Sequence, residues 1–341
     1  MSDNPAPSIA PLLSIVADGN SLSRQEAREA MSALLSGEAT PVQIAAFLLA
    51  LRVRGETVEE ITGLVEGMRE ASIRIEPDRE GMVDLCGTGG DGSGTFNIST
   101  AAALVVAGCG VPVAKHGNRS ASSLCGSADV LEELGVPLDL EPDEARRMIE
   151  ETGFAFLFAQ RYHPAMRHVG PVRGELKLRT VFNILGPMTN PAGVKRQMIG
   201  VFDPAVRSTM CEVLGALGSE RVWALHGEGG LDELSIAGVT QVTELDGGRQ
   251  REFEVVPGDA GVESSPLESL KGGDAAVNAG IIRKLLGGEA GPHRNAVVLN
   301  AAGALVVQGL AADLSEGGAR ACEAIDSGAA ARVLDSLGSR S

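Results

Sequence analysis

A chain of 341 residues has room for about two domains of ordinary size, each with its own core. Apolar residues make up 44% and charged ones 22%, globular proportions that exclude wholesale disorder. A formal net charge of −16 repels polyanions and anionic bilayers, and one Trp, one Tyr and eight Phe leave little on which to stack bases, so nucleic acid and membrane surfaces are excluded as partners.

The segment from Met1 to Leu13 has no basic region followed by a long apolar core, and no later stretch is apolar for ~18 residues, so a cytoplasmic protein is expected. Three capping boxes follow, Ser23/Glu26, Thr40/Gln43 and Thr57/Glu60, each able to satisfy the free N–H groups of a helix start. They predict helices over about 24–36, 41–53 and 58–71, the first two stopped by Gly37 and Gly55. Ile44, Phe47, Leu48 and Leu51 recur at helical spacing. This small all-helical unit is suited to packing on the rest of the chain or to an oligomer interface.

From Met82 the grammar changes to short apolar runs, Gly-rich turns and Ala-rich helices, the pattern of β-α units on a mainly parallel sheet. Strands are predicted at Met82–Cys86, Val111–Ala114, Phe154–Phe158, Gln197–Val201 and Val222–Leu225, and helices near 100–107, 142–152, 205–217, 275–287 and 295–307. Asp246-Gly247-Gly248 reads as a hairpin turn at the sheet edge, and 258–273 as a loop. The fold class is therefore α/β, a small N-terminal helical domain followed by a larger domain with a mainly parallel central sheet. Cys86, Cys109, Cys125, Cys211 and Cys322 are odd in number and form no C-x-x-C, which predicts free thiols rather than disulfides or structural zinc.

Four motifs carry the chemistry. The run from Gly87 to Thr100, Gly-Thr-Gly-Gly-Asp-Gly-Ser-Gly-Thr-Phe-Asn-Ile-Ser-Thr, joins a strand to a helix, and its glycines let backbone amides approach an anion at a helix N-terminus. It matches G-x-G-x-x-G, but no acidic residue follows in Ala107–Pro112 to hold a dinucleotide ribose, so a phosphate cradle is expected instead. The run from Lys115 to Ser123, Lys-His-Gly-Asn-Arg-Ser-Ala-Ser-Ser, follows a strand and concentrates two cations, an amide and hydroxyls in an acidic protein. His163 and His168 are five apart, without a zinc pattern, whereas Arg173 and Arg179 are candidates for bidentate carboxylate recognition, against a solvated surface role. The fourth motif, His226 to Leu234 after the strand Val222–Leu225, carries Asp232-Glu233. Beside a phosphate cradle, such a pair can hold Mg²⁺ with water and substrate oxygens.

Together, Gly87-Thr88-Gly89-Gly90-Asp91, Asn97-Ile98-Ser99-Thr100, Lys115-His116-Gly117-Asn118-Arg119, Gly126-Ser127-Ala128-Asp129, the run Arg179-Thr180 through Asn190-Pro191, and Leu231-Asp232-Glu233 resemble the anthranilate phosphoribosyltransferase family in order and spacing. The resemblance implies transfer of the phosphoribosyl group of phosphoribosyl pyrophosphate to anthranilate in tryptophan biosynthesis, on a class IV fold of the nucleoside phosphorylase type. It implies a helical domain over 1–78 joined by 163–186, an α/β domain over 79–341, and a homodimer through the helical domain. By position, phosphoribosyl pyrophosphate falls to Gly87, Gly90, Asp91, Thr95, Asn97, Ile98, Ser99, Thr100, Lys115, His116, Gly117, Asn118, Arg119, Ser120, Ala121, Ser122, Ser123 and Ser127. Anthranilate falls to Gly87, Asn118 and Arg173, Mg²⁺ to Ser99, Asp232 and Glu233, and His163 and Arg179 are secondary candidates. Two positions depart from the pattern: Lys177 stands where glycine is usual and Cys125 where serine is common. The rivals are a pyrimidine nucleoside phosphorylase, whose Lys-His-Ser-Thr-Gly-Gly run is absent, and a nucleic-acid-binding relative without activity, which the net charge and the Asp232-Glu233 pair oppose.

Overall fold

Four helices come first, and side chains fix where they start. They are α1 (Ile9–Ala17), α2 (Arg24–Ser36), α3 (Pro41–Arg54) and α4 (Val58–Glu70), and the three capping boxes expected at α2, α3 and α4 all form. The fully buried Glu60 accepts from the backbone N–H groups of Thr57 (2.9 Å) and Leu22 (2.8 Å) and pairs with Arg54. One carboxylate thus joins the start of α4, the turn before α2 and the end of α3. The computed structural model describes residues 8–120 and 124–339.

The rest of the chain is β1 (Val83–Gly87), α5 (Ile98–Gly108), β2 (Val113–Gly117), α6 (Ser127–Glu133), α7 (Pro142–Thr152), β3 (Phe154–Phe158), α8 (Ala159–Tyr162), α9 (Gly170–Leu176), α10 (Phe182–Leu185), β4 (Arg196–Gly200), α11 (Val206–Ala216), β5 (Arg221–Gly227), β6 (Thr240–Asp246), β7 (Arg249–Val255) and α12 to α15 (Ala275–Leu286, Pro292–Gln308, Leu314–Asp326, Ala329–Gly338). The strands form one sheet in the order β3-β2-β1-β4-β5-β6-β7, parallel through β5, with β6 and β7 added as the expected antiparallel hairpin. Among the described residues no helix is long and apolar enough to cross a membrane.

Strand alternation gives the sheet two apolar faces. Val83, Leu85, Val113 and Met198 share a core with α5 and α13, whereas Cys86, Ile199, Val222 and Ala224 share another with α11, with the four N-terminal helices, and with Val169, Val172, Val181 and Phe182. The register pairs Gly87 with Gly200 and Gly117 with Phe158, so the carboxyl ends of the parallel strands meet along one edge, where ligands settle in such sheets.

The structure corrects several expectations. β2 starts at Val113 rather than Val111, because Pro112 has no N–H for the ladder, though its carbonyl accepts from Val83 (3.0 Å), and it runs to Gly117 because β3 pairs with it that far. Lys115 and His116 therefore lie inside the strand, both buried, and not in a loop after it. The expected loop at 258–273 carries short 3₁₀ turns at Pro257–Ala260 and Leu267–Leu270. Helices α1, α6, α8, α9, α10, α14 and α15 lie outside the helices expected from the sequence.

Candidate active site

The glycine loop leaves β1 and enters α5 across the carboxyl edge of the sheet. Gly89, Gly90, Gly92 and Gly94 all have φ between 66° and 75°, a left-handed backbone that other residues adopt at a cost, and a Cβ at Gly89, Gly92 or Gly94 would meet open space. This opens a concave run of backbone towards the start of α5. Its residues are held from below: the Gly89 N–H donates to Asp232 Oδ2 (2.9 Å), and the Ser99 N–H, in the first turn of α5, donates to Glu233 Oε1 (2.9 Å). A Cβ at Gly87 would collide with Asp232 Oδ2, and one at Gly200 with the Asp232 carbonyl oxygen. Two strand-end glycines thus make the space in which Asp232 sits.

Burial, and then the neighbouring Asp91, push the Asp232 carboxyl up to about 7; burial and Asp232 push Glu233 up to about 8, against the opposing pull of Lys115. Carboxylates crowded in this way favour either protons or a cation. The fit to Mg²⁺ follows from that donor chemistry: hard oxygens, few in number, beside a cradle open to a phosphorylated ligand. Among the described residues no three acidic, imidazole or thiol groups converge as a closed metal site, so water and substrate oxygens would complete the shell. The Lys115 amine donates to the Leu85 carbonyl and lies 3.5 Å from Ser99 Oγ, a positive charge beneath the cradle.

The other candidates fall into two groups. Ser99, Thr100 and Ile98 form the first turn of α5, where the Thr100 hydroxyl is buried without a partner. Asp91 Oδ1 accepts from the Ser93 N–H (3.2 Å), and Thr95 Oγ1 lies 3.3 Å from Ser93 Oγ. Asn97 is turned to the scaffold, its Oδ1 accepting from Asn278 (2.9 Å) and its amide donating to the Cys125 carbonyl (3.2 Å). Ser127 Oγ donates to the Asn118 carbonyl (3.2 Å) and shapes the β2–α6 turn, where Gly117 leaves no room for a Cβ beside Ser127 and Phe156. The charge of Arg119 departs from the expected anion role: its guanidinium is held by Asp129 and Glu132, each at 2.8 Å. The Ser120 N–H donates to Asp129 (3.2 Å). Ala121, Ser122 and Ser123 lie outside the described residues.

On the acceptor side, the rings of His116 and His163 lie 5.1 Å apart, both buried, each with Nε2 unpartnered. Burial pushes His116 down to about 3 and His163 down to about 4, so both are neutral imidazoles near pH 7. Asn118 is exposed and its Oδ1 accepts from the Arg119 N–H (2.8 Å). Arg173 is half-buried over the Phe182 ring at 5.2 Å, and among the described residues it pairs with no carboxylate. Burial lowers its proton affinity, an electrostatic need that an incoming carboxylate would meet.

Sequence reasoning missed the buried support. Asp84 accepts from the His116 N–H (3.2 Å) and from Asn190 Nδ2 (2.8 Å), which also donates to the Ala114 carbonyl (2.8 Å). A lone carboxylate within the apolar run Val83-Asp84-Leu85 was the available signal.

Residues 10–72 match the glycosyl transferase family helical bundle domain, and residues 79–331 match the glycosyl transferase family a/b domain. The chain is 53% identical over 322 residues to an anthranilate phosphoribosyltransferase of Rhodopseudomonas palustris, covering 94% of this chain and 95% of that protein. Among solved structures it resembles the anthranilate phosphoribosyltransferase of Thermus thermophilus, with a TM-score of 0.92 at 46% identity over 96% of this chain and 98% of the other. The Saccharomyces cerevisiae enzyme in complex with phosphoribosyl pyrophosphate and Mg gives a TM-score of 0.88 at 28% identity, covering 97% and 98%.

Proposed function

Since the chain belongs to the anthranilate phosphoribosyltransferase family, it transfers the phosphoribosyl group of phosphoribosyl pyrophosphate to the amine of anthranilate, with Mg²⁺, and we propose which of its residues do so. The backbone from Gly87 to Thr100 and the Lys115 amine receive the phosphorylated donor. Asp232 and Glu233, with the Ser99 hydroxyl, hold Mg²⁺, which when bound neutralises charge on the departing pyrophosphate. Charge accumulates on that leaving group as the bond to the anomeric carbon breaks, and Lys115 and the unpartnered Thr100 hydroxyl in the first turn of α5 are placed to stabilise it. The aromatic amine of anthranilate is neutral at pH 7, so orientation matters more than a strong base. Arg173 and the amide N–H groups of the exposed Asn118 take its carboxylate, and the neutral His116 and His163 line the approach.

The observation that carries the acceptor assignment is Arg173, a half-buried cation with an aromatic floor and no carboxylate partner among the described residues. Loss of anthranilate fluorescence on mixing with phosphoribosyl pyrophosphate and Mg²⁺, and no loss without the metal, tests the activity. Arg173→Ala is expected to raise the KM for anthranilate at least about tenfold, the worth of a charged hydrogen bond. An unchanged KM for that substrate rejects the assignment.

The same reading includes a cytoplasmic enzyme of tryptophan biosynthesis that works as a homodimer. The dimer reading rests on α3, where Val42 and Val53, 77% and 85% exposed, flank the half-buried Ala46 and Leu49 on one helical face.

A further inference from the structure

Three consecutive residues of the glycine loop are held by three different parts of the chain. The Thr88 N–H donates to the Gly200 carbonyl (2.9 Å) and its hydroxyl accepts from the Phe202 N–H (3.1 Å), while the Gly89 N–H donates to Asp232. The Gly90 carbonyl accepts from the guanidinium of Arg179. The first two anchors lie at the end of β4 and in the segments that follow β4 and β5. The third comes from elsewhere: Arg179 leads into Val181 and Phe182, which share the core of α1–α4, and its carbonyl accepts from Arg52 on α3.

Arg179 is exposed, yet both its guanidinium and its carbonyl are engaged. Its guanidinium lies 3.7 Å over the Phe202 ring, a close stack that fixes the plane of the donor fork, and a Cβ at Gly90 would come 3.4 Å from its Nη2. A solvated surface arginine has none of these constraints. Arg173, by contrast, rests on Phe182.

We propose that Arg179 is a positioning residue for the donor substrate: it ties the helical bundle, through Arg52, to the Gly90 carbonyl, and so sets the shape of the loop that receives phosphoribosyl pyrophosphate. The assignment rests on the reading of that loop as the donor site. It separates Arg179 from the acceptor, for which the sequence had made it a candidate.

The test is steady-state kinetics with both substrates varied on the full-length enzyme, together with calorimetry of phosphoribosyl pyrophosphate and Mg²⁺ without acceptor. Arg179→Ala raises donor KM and Kd about tenfold, with kcat and anthranilate KM within about twofold of wild type, because one charged hydrogen bond and a stack are lost away from the reacting atoms. Arg179→Lys, which keeps the charge and loses the fork, falls between. Arg52→Ala is an exposed change that spares the fold; it raises donor Kd about threefold in the wild-type background and adds nothing to Arg179→Ala, as expected of residues acting in series. An unchanged donor Kd in Arg179→Ala, an effect on anthranilate KM instead, or full additivity with Arg52→Ala overturns the proposal while leaving the family activity standing. Wild-type protein that binds no phosphoribosyl pyrophosphate overturns both.

Discussion

Lys177 ends α9 with φ 49° and ψ 30°, the sole non-glycine residue with positive φ among the described residues, at the position where the family resemblance leads one to expect glycine. A side chain in that conformation costs about 1 kcal/mol, which glycine avoids. Lys177→Gly is therefore expected to add about 0.5–1 kcal/mol of stability, since glycine's extra unfolded-state entropy offsets part of the gain, and calorimetry should show a higher Tm. A lower Tm would show that the lysine makes up its strain elsewhere. The paired imidazoles act on pH in a definite direction. Burial depresses both His116 and His163, with carbonyls at Gly186 and Thr189 opposing it, so as pH falls the unfolded chain takes up protons before the folded one does. Their contribution is whole above about pH 6.5 and is lost as the pH falls towards 4 and then 3. Asp84, Asp232 and Glu233, raised to about 6, 7 and 8 chiefly by burial, act in the opposite sense, favouring the fold as pH falls. The wild-type curve mixes the two, and a variant separates them. Between pH 6.5 and 5.5, His163→Asn should lose about 1 kcal/mol less stability than wild type in urea titrations, and an identical pH response would count against the buried neutral pair.

At the scale of elements, the corner where β1 turns into the glycine loop is a packing problem before it is a binding site. Gly87 and Gly200 leave their Cβ space to Asp232, so Gly87→Ala must shift the carboxylate or the strand end. The expected outcome is a folded enzyme that needs about tenfold more Mg²⁺ for half-maximal rate at fixed phosphoribosyl pyrophosphate, as when the support of a metal ligand is disturbed. A Mg²⁺ titration that superimposes on wild type would mean that Asp232 is not a ligand. What the sequence made legible here was local: capping boxes that satisfy N–H groups within three residues, the Gly-rich run between a strand and a helix, and the Gly-Gly hairpin joining β6 to β7. What it hid depends on partners far along the chain. Pairing with β3 as far as Gly117 drew Lys115 and His116 into a buried strand; Asp129 and Glu132 neutralised Arg119; and Asp84 found Asn190 more than a hundred positions away. Amphipathic α14 and α15, with Ala321, Ala324 and Ile325 and then Ala330, Leu334 and Leu337 buried at helical spacing, had a legible period that the sequence reading passed over.

For the whole molecule, the decisive feature is that the helical bundle and one face of the sheet share a core, so the bundle is part of the catalytic domain's foundation and still leaves one face of α3 free. Val42, Ala46, Leu49 and Val53 follow one another at spacings of four, three and four, a continuous apolar stripe whose two valines are the most exposed ends. Covering such a stripe with its own copy removes apolar surface on both partners at about 25 cal/mol for each Å². Val53→Glu would place two carboxylates against each other or against apolar surface across a twofold axis, a repulsive and desolvated arrangement that a self-complementary interface meets twice. Sedimentation at micromolar concentration should therefore show a dimer for wild type and a monomer for Val53→Glu. A variant that stays dimeric would move the interface off α3. Because every residue assigned to donor, metal and acceptor belongs to one chain, the monomer is expected to keep its kcat. Its donor KM is the more telling number: Val53 adjoins Arg52, and through Arg179 a change at this face reaches Gly90. Loss of association would then act on the loop only through Arg52 and Arg179, raising donor KM by no more than the Arg52→Ala change does.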